Sequence, residues 1–353
     1  MSNPNWIEFL KSQGAKVNEE KTQLNFADTT VASDQPVLVP LIDQALLKVE
    51  GPDAEKFLQG QLSCDLKQVS SANSLLGSNC TPKGNVISAF RLIRPTDEQI
   101  LLRMPKAIRE PALANLGKYI VFSKAELTDA SDSYTGLGLQ GAGAEALIKK
   151  TFGEAPDTIN AQLVTDDLVI VRVPGLSERF ELWVPGAKAA SVWEQLIAES
   201  QAGGTDLWKL AEIQAGLVQL DLDSVEVYLP QMLNLQALEG ISFSKGCYTG
   251  QEVVARLQHR GKLKKYLMRG WVDSTLPPTA GMNLHSPNRR NVGKILSFAP
   301  ATKADSDIPG YEVQAVISKS AAEGNLLHLD TQEGPQVELL PLPYNIDPEL
   351  FER

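Results

Sequence analysis

Cysteine and histidine are both scarce in this chain, three of each in 353 residues. The cysteines, Cys64, Cys80 and Cys247, are odd in number, lie far apart and include no CxxC pair. That excludes a secreted disulfide framework and a cysteine-rich zinc site, and it fits a reducing, cytoplasmic compartment. The histidines, His259, His285 and His328, lack metal-ligand spacing, so no metal is expected. No run approaches the roughly 18 apolar residues of a membrane span. The stretch MSNPNWIEFLKSQG, broken by Pro4 and Glu8, also lacks the apolar run of roughly 7 to 15 residues that a signal peptide needs. Positive charge is in deficit, 33 Lys and Arg against 43 Asp and Glu for a net −10, so a nucleic acid or an anionic surface can be met only by a local patch. Internal repeats and low-complexity tracts are absent as well.

What is present is core material. With 43% apolar residues, and at roughly 150 residues per domain, the chain should fold as two or three domains. Trp6, Ile7, Phe9 and Leu10 fit one or two amphipathic helical turns. VLVPLIDQALLKVEG reads as strands, PDAEKFLQGQL puts Ala54, Phe57, Leu58 and Leu62 on one helical face, and Lys83-Gly84 reads as a hairpin turn. Residues 134–200 have the order βαββα, most of a ferredoxin-like unit with its last strand unassigned. The helix TDLWKLAEIQAGL carries a stripe of Leu207, Leu210, Ala211 and Ala215, with Trp208 just off it. From Lys265 onward, apolar segments alternate with Gly, Pro and Asn clusters, the pattern of a small antiparallel barrel or sandwich. The fold class is α+β.

The sharpest chemistry lies in GISFSKGCYTGQEVVARLQHRG, residues 240–261. Thr249 and Glu252 have the spacing of a capping box, which predicts a helix from Thr249 to Gly261. Cys247 would then sit two residues before a helix N-terminus, where the dipole and Lys245 favour a thiolate, provided the sulfur is exposed. Free N–H groups there can also hold a carboxylate or phosphate. The plainer alternative is a tight turn shaped by Gly246 and Gly250, with Cys247 packed as a small hydrophobe. Between Lys245 and Arg269 the cations Lys245, Arg256, Arg260, Lys262, Lys264, Lys265 and Arg269 face one anion, Glu252. Such a patch suits a folate glutamate tail, an RNA phosphate or an acidic partner, or is simply a solvated helix end. GLGLQG at 136–141 has the form GxGxxG, but TDASDSY precedes it and βαββ surrounds it, which does not build a dinucleotide site.

KGCYTGQEVVAR resembles the signature of the YgfZ family, folate-binding relatives of the glycine-cleavage aminomethyltransferase. The similarity runs almost throughout 230–261 and continues more weakly at 49–66, 80–94, 207–217 and 341–344. It implies a three-domain ring around a folate pocket. A discontinuous folate-binding domain would span 1–130 and 205–261, with a ferredoxin-like domain inserted at 131–204 and an antiparallel β-barrel at 262–353. It further implies tetrahydrofolate, or a one-carbon derivative, as cofactor. The implied role is that of an accessory protein for iron-sulfur enzymes, including those that thiolate tRNA, with those enzymes or assembly proteins as partners and direct tRNA contact left open.

Carried over residue by residue, the resemblance makes Cys247 the functional thiol with Lys245 beside it, and Gln251, Glu252 and Arg256 match the motif. Trp208 matches the pterin-contacting tryptophan. Gln44 falls where a second folate-contacting tryptophan is expected, and it is not aromatic. The aspartate pair of the aminomethyltransferases is replaced by Ser88 and Ala89, neither of which can act as acid or base. The sequence therefore favours a folate-binding accessory protein over a folate-dependent aminomethyl transferase. A thiol-dependent hydrolase built on Cys247 lacks an identifiable His and Asp set.

Overall fold

The computed structural model describes residues 4–26, 35–166, 168–303, 308–324 and 326–352. Two units emerge: one of residues 1–58, 66–75 and 90–208, the other of 59–65, 76–89 and 209–353.

In the first unit a six-stranded sheet runs in the order Gln162–Val164, Val169–Arg172, Arg179–Pro185, Tyr134–Gln140, Val37–Pro40, Gln201–Ala202. With helices Ala144–Phe152 and Ala189–Ile197 the order from Tyr134 is βαβββα, the expected βαββα with one short strand more, Gln162–Val164, at the sheet edge. The strand that the sequence left unassigned is Gln201–Ala202, parallel to Val37–Pro40. Val37–Pro40 thus lies between the first and last strands of the ferredoxin-like unit. The N-terminal turns form the helix Pro4–Ser12, whose Trp6, Ile7 and Leu10 are buried with Leu147, Ile148, Trp193 and Leu196. Each such side chain removed from water contributes about 1.5–3 kcal/mol, which fixes three helices on one face of the sheet.

The other face meets a second sheet, of Val86–Thr96, Gln99–Pro105, Gln44–Glu50 and Glu126–Asp129, with antiparallel pairing between neighbours. Val39, Val171 and Trp183 from the first sheet share a core with Leu46, Ile93 and Leu101 from the second. Arg103 and Glu181, both buried, pair across it at 2.8 Å. Trp208, on the helix Thr205–Gln214, belongs to the same core. The expected helical stripe is therefore corrected: Leu207, Leu210 and Ala211 are half-buried, whereas Trp208, Glu212 and Ala215 are buried.

The reason is the bare backbone opposite. A Cβ on Gly138 would stand 2.4 Å from the Trp208 ring, and one on Gly136 would stand 2.8 Å from the Trp183 ring. Residues two apart on a strand face the same side, so the GxGxxG spacing of GLGLQG makes room for two indoles.

The second unit contains a closed barrel: Lys265–Val272, Pro309–Ser318, Arg289–Thr302, Asn283–Ser286, Leu327–Leu329, Gln336–Leu340, and back to Lys265–Val272. Closure leaves no open sheet edge. Its core holds Val272, Leu284, Ile295, Val313, Ile317 and Leu327. The strand Asn283–Ser286 was not legible in the sequence because a register shift between Leu284 and Ser286 interrupts its alternation. The Lys83-Gly84 turn joins Leu75–Cys80 to Val86–Thr96, as expected, with the Gly84 amide donating to Thr81 O at 2.8 Å. No helix among the described residues is long and apolar enough to cross a membrane.

Candidate functional site

The motif is built on the second unit by backbone contacts. Gly250 has φ +86°, and a Cβ there would lie 2.6 Å from Thr81 O and 3.0 Å from Gly84 Cα. Both neighbours are backbone, so no side chain can yield, and only glycine fits. This geometry corrects the expected capping box. The helix is Gln251–Arg260, its N-cap is Gly250 with no side-chain cap, and Cys247 stands four residues before the first helical residue. Thr249 is turned elsewhere, its Oγ1 donating to Gln61 Oε1 at 3.4 Å and its amide to Gly60 O at 3.2 Å. Gln251 reaches back, its Oε1 accepting from the Tyr248 amide at 3.4 Å. Gly261 ends the helix, donating to Leu257 O.

Lys245 is the most tightly held side chain of the motif. Its Nζ donates to three carbonyls, Gln59 O at 2.7 Å, Leu62 O at 2.9 Å and Cys64 O at 2.7 Å, and stands 5.1 Å from the centroid of the Tyr248 ring. Burial lowers its pKa to about 8, opposed by the nearby Cys64 and Asp65. The ammonium thus ties the motif to residues 59–64.

The three thiols differ in access. Cys247 is exposed, whereas Cys64 and Cys80 are buried, and burial pushes both buried thiols up to about 12. Timed alkylation of the native protein at neutral pH, followed by peptide mapping, is expected to label Cys247 first. Label on Cys64 or Cys80 should appear only after unfolding. Faster labelling of either buried thiol would refute this order.

The other sequence-derived site residues divide between the units. Lys245, Cys247, Gln251, Glu252 and Arg256 share the second, where Glu252 and Arg256 are exposed. Gln44 and Trp208 belong to the first. Trp208 is 1% exposed, with the Arg179 guanidinium 4.0 Å from its ring centroid and the Gly138 backbone against the indole. Gln44 is buried and lines a crevice of about 30 Å³ that shares Leu41, Leu46 and Trp183 with the Trp208 core. That is room for a water. Ser88 and Ala89 are buried in the strand Val86–Thr96. Glu212, a buried carboxylate accepting from Gln219, belongs to no motif of the sequence. Its spacing of four from Trp208 in the same helix was the available signal.

The comparisons with known proteins agree on family and fold. Residues 39–209 match the family model of the GCVT N-terminal domain. The chain is 34% identical over 314 residues to a tRNA-modifying protein YgfZ from Enterobacter sp. (strain 638), covering 88% of this chain and 94% of the relative. It is 33% identical over 332 residues to the protein of the same name from Pectobacterium carotovorum subsp. carotovorum (strain PC1), covering 92% and 97%. The glycine cleavage system aminomethyltransferase T from Bartonella henselae is a structural neighbour, with TM-score 0.76, 16% identity and 96% of each chain covered. At that identity the likeness is one of fold, and the identity to the curated relatives over nearly the whole chain shows that this protein belongs to the YgfZ family of tRNA-modifying proteins.

Proposed function

We propose that this protein is a cytoplasmic, tetrahydrofolate-binding accessory factor for iron-sulfur enzymes, those that thiolate tRNA among them, and that it acts through Cys247. The observation that carries the reading is the exposed thiol, the one accessible cysteine of three, on a loop locked by Gly250 and Lys245 in a chain of a tRNA-modifying family. A rigidly held, accessible sulfur suits a nucleophile or a soft ligand.

Folate is supported by the match to the GCVT domain and the aminomethyltransferase-like fold. The first unit also offers suitable chemistry. Trp208 Nε1 and Gln44 Oε1 are buried polar atoms without a hydrogen-bond partner among the described residues. A pterin presents both acceptors and donors, so the two residues fit it as one donor and one acceptor. The crevice beside Gln44 has room for a water and not for a pterin as it stands, so a pterin would reach the two atoms only by widening it. With Arg179 and Gly138 packed on the indole, it would meet Trp208 through its N–H edge rather than by stacking.

Calorimetric titration with tetrahydrofolate is expected to show saturable binding. Trp208→Phe keeps a ring in the core and removes the N–H, so it should weaken binding roughly tenfold, the equivalent of one hydrogen bond. Absence of saturable binding at millimolar ligand would sink the folate assignment. The fold also raises a second reading, folate-dependent aminomethyl transfer. Ser88 and Ala89 supply no acid or base at the hairpin, and turnover of methylenetetrahydrofolate by purified protein would establish that reading in place of the first.

A further inference from the structure

The basic patch of the sequence resolves into two populations. Lys245 is buried on three carbonyls, and Arg269 pairs with Glu312 at 3.0 Å, both largely buried. Neither belongs to a surface patch. Arg256, Arg260, Lys262, Lys264 and Lys265 are exposed, and none forms an ion pair with another described residue. Arg256 and Arg260 lie one helical turn apart on Gln251–Arg260, about 6 Å along its axis, and the lysines continue the row into the strand Lys265–Val272.

Anions stand near the row as well. Glu252 lies one turn before Arg256, and the short helix Glu349–Glu352 approaches through Leu350, whose carbonyl accepts from the Leu263 amide at 2.7 Å. Asp347 of the same segment, Glu349 and Glu352 join Glu252, and Glu323 near Tyr266 is paired with Lys319, whose amide donates to Lys264 O. The five cations of the row themselves have no carboxylate within ion-pair distance among the described residues. Exposed His259 stands among the cations, 6.1 Å from the Phe243 ring.

We propose that the row Arg256–Lys265 is a docking surface for the phosphate backbone of RNA, with His259 as a platform for an unpaired base. A row of exposed cations, none of them held in an ion pair with another described residue, with an aromatic side chain interleaved has the chemistry of single-strand recognition. Exposed Cys247 lies on the loop that leads into the same helix, on the N-terminal side of the row. The inference rests on the tRNA-modification reading and specifies the contact through which that role would be exercised.

The test is fluorescence anisotropy with a labelled RNA stem-loop. Between about 50 and 200 mM salt the affinity should fall with a log–log slope near −3.5, about 0.7 for each of five phosphate contacts. The combined variant Arg260→Gln, Lys262→Gln, Lys264→Gln, Lys265→Gln spares the motif residues. It should lose at least about tenfold in affinity at 50 mM salt and reduce the slope by about 3. Circular dichroism and tetrahydrofolate titration serve as folding controls. An absence of saturable RNA binding at 50 mM salt, or an unchanged slope in the variant, overturns the proposal. So does a variant that binds RNA normally but no longer binds an acidic client enzyme, because the row would then serve a protein. Failure of the function proposed above reads out separately, as retained RNA binding by a protein that takes up no folate or supports no thiolation.

Discussion

Cys247→Ser is expected to cut tRNA thiolation by iron-sulfur enzymes by roughly tenfold or more in cells that depend on this protein, an effect in line with removal of a nucleophile or ligand. The purified variant should keep its circular dichroism spectrum and its folate affinity. Both halves follow from the site. Cys247 is exposed and outside the core clusters, so replacing sulfur by oxygen removes little packing. The loop takes its shape from Gly250 against the Thr81 and Gly84 backbone and from Lys245 on three carbonyls, not from the thiol. Serine keeps the size of the side chain, but its hydroxyl does not ionise near neutral pH and is a poor ligand for soft metals. The measurement is the ratio of thiolated to unmodified tRNA in the variant strain, with Cys64→Ser as a comparison at a buried thiol. Full thiolation in the Cys247→Ser strain would return the residue to a turn-shaping role and leave folate binding as the remaining activity to test.

Local pattern carried much of this architecture. The apolar periodicity of Trp6, Ile7 and Leu10 marked a helix that packs as the pattern requires, and five of the six barrel strands stood out between their turn residues. Long-range contacts were not legible. Nothing near Lys245 in sequence shows that its ammonium is taken up by carbonyls at positions 59, 62 and 64, 186 residues away in the first case. The capping spacing of Thr249 and Glu252 was real as a pattern and lost to tertiary packing. The chain must pass through a positive φ at Gly250 to approach the hairpin, and that moves the helix start beyond Thr249. GLGLQG shows a related limit. Its flanks already argue against a dinucleotide site, but what the glycines do appears only when Trp183 and Trp208 are seen lying against them.

Lys245→Met should destabilise the protein by about 3 kcal/mol at neutral pH, read as a fall of several degrees in the thermal midpoint. Methionine matches the unbranched stem of lysine, so the loss falls on the carbonyls of Gln59, Leu62 and Cys64, which are left without their donor. Removing a charge from a buried site recovers some desolvation cost, but three stranded acceptors outweigh it. The pH dependence tests the balance. Burial lowers the Lys245 pKa from 10.5 to about 8, so below pH 8 both native and unfolded chains carry the proton. Between about 8 and 10.5 the unfolded chain binds more protons than the native one, and this group's contribution to stability rises with pH. The buried thiols act in the opposite sense. Cys64 and Cys80, raised from 9.0 to about 12, lose protons first in the unfolded chain, so their contribution is lost as pH rises from 9 to 12. Wild type and variant share those thiols, and the difference between them isolates Lys245. The stability gap should widen between pH 8 and 10.5 even while both proteins weaken above pH 9. A gap that narrows over that window would mean that the three carbonyls stabilise the ammonium more than burial penalises it, and Lys245 would then be an anchor that depends on its charge.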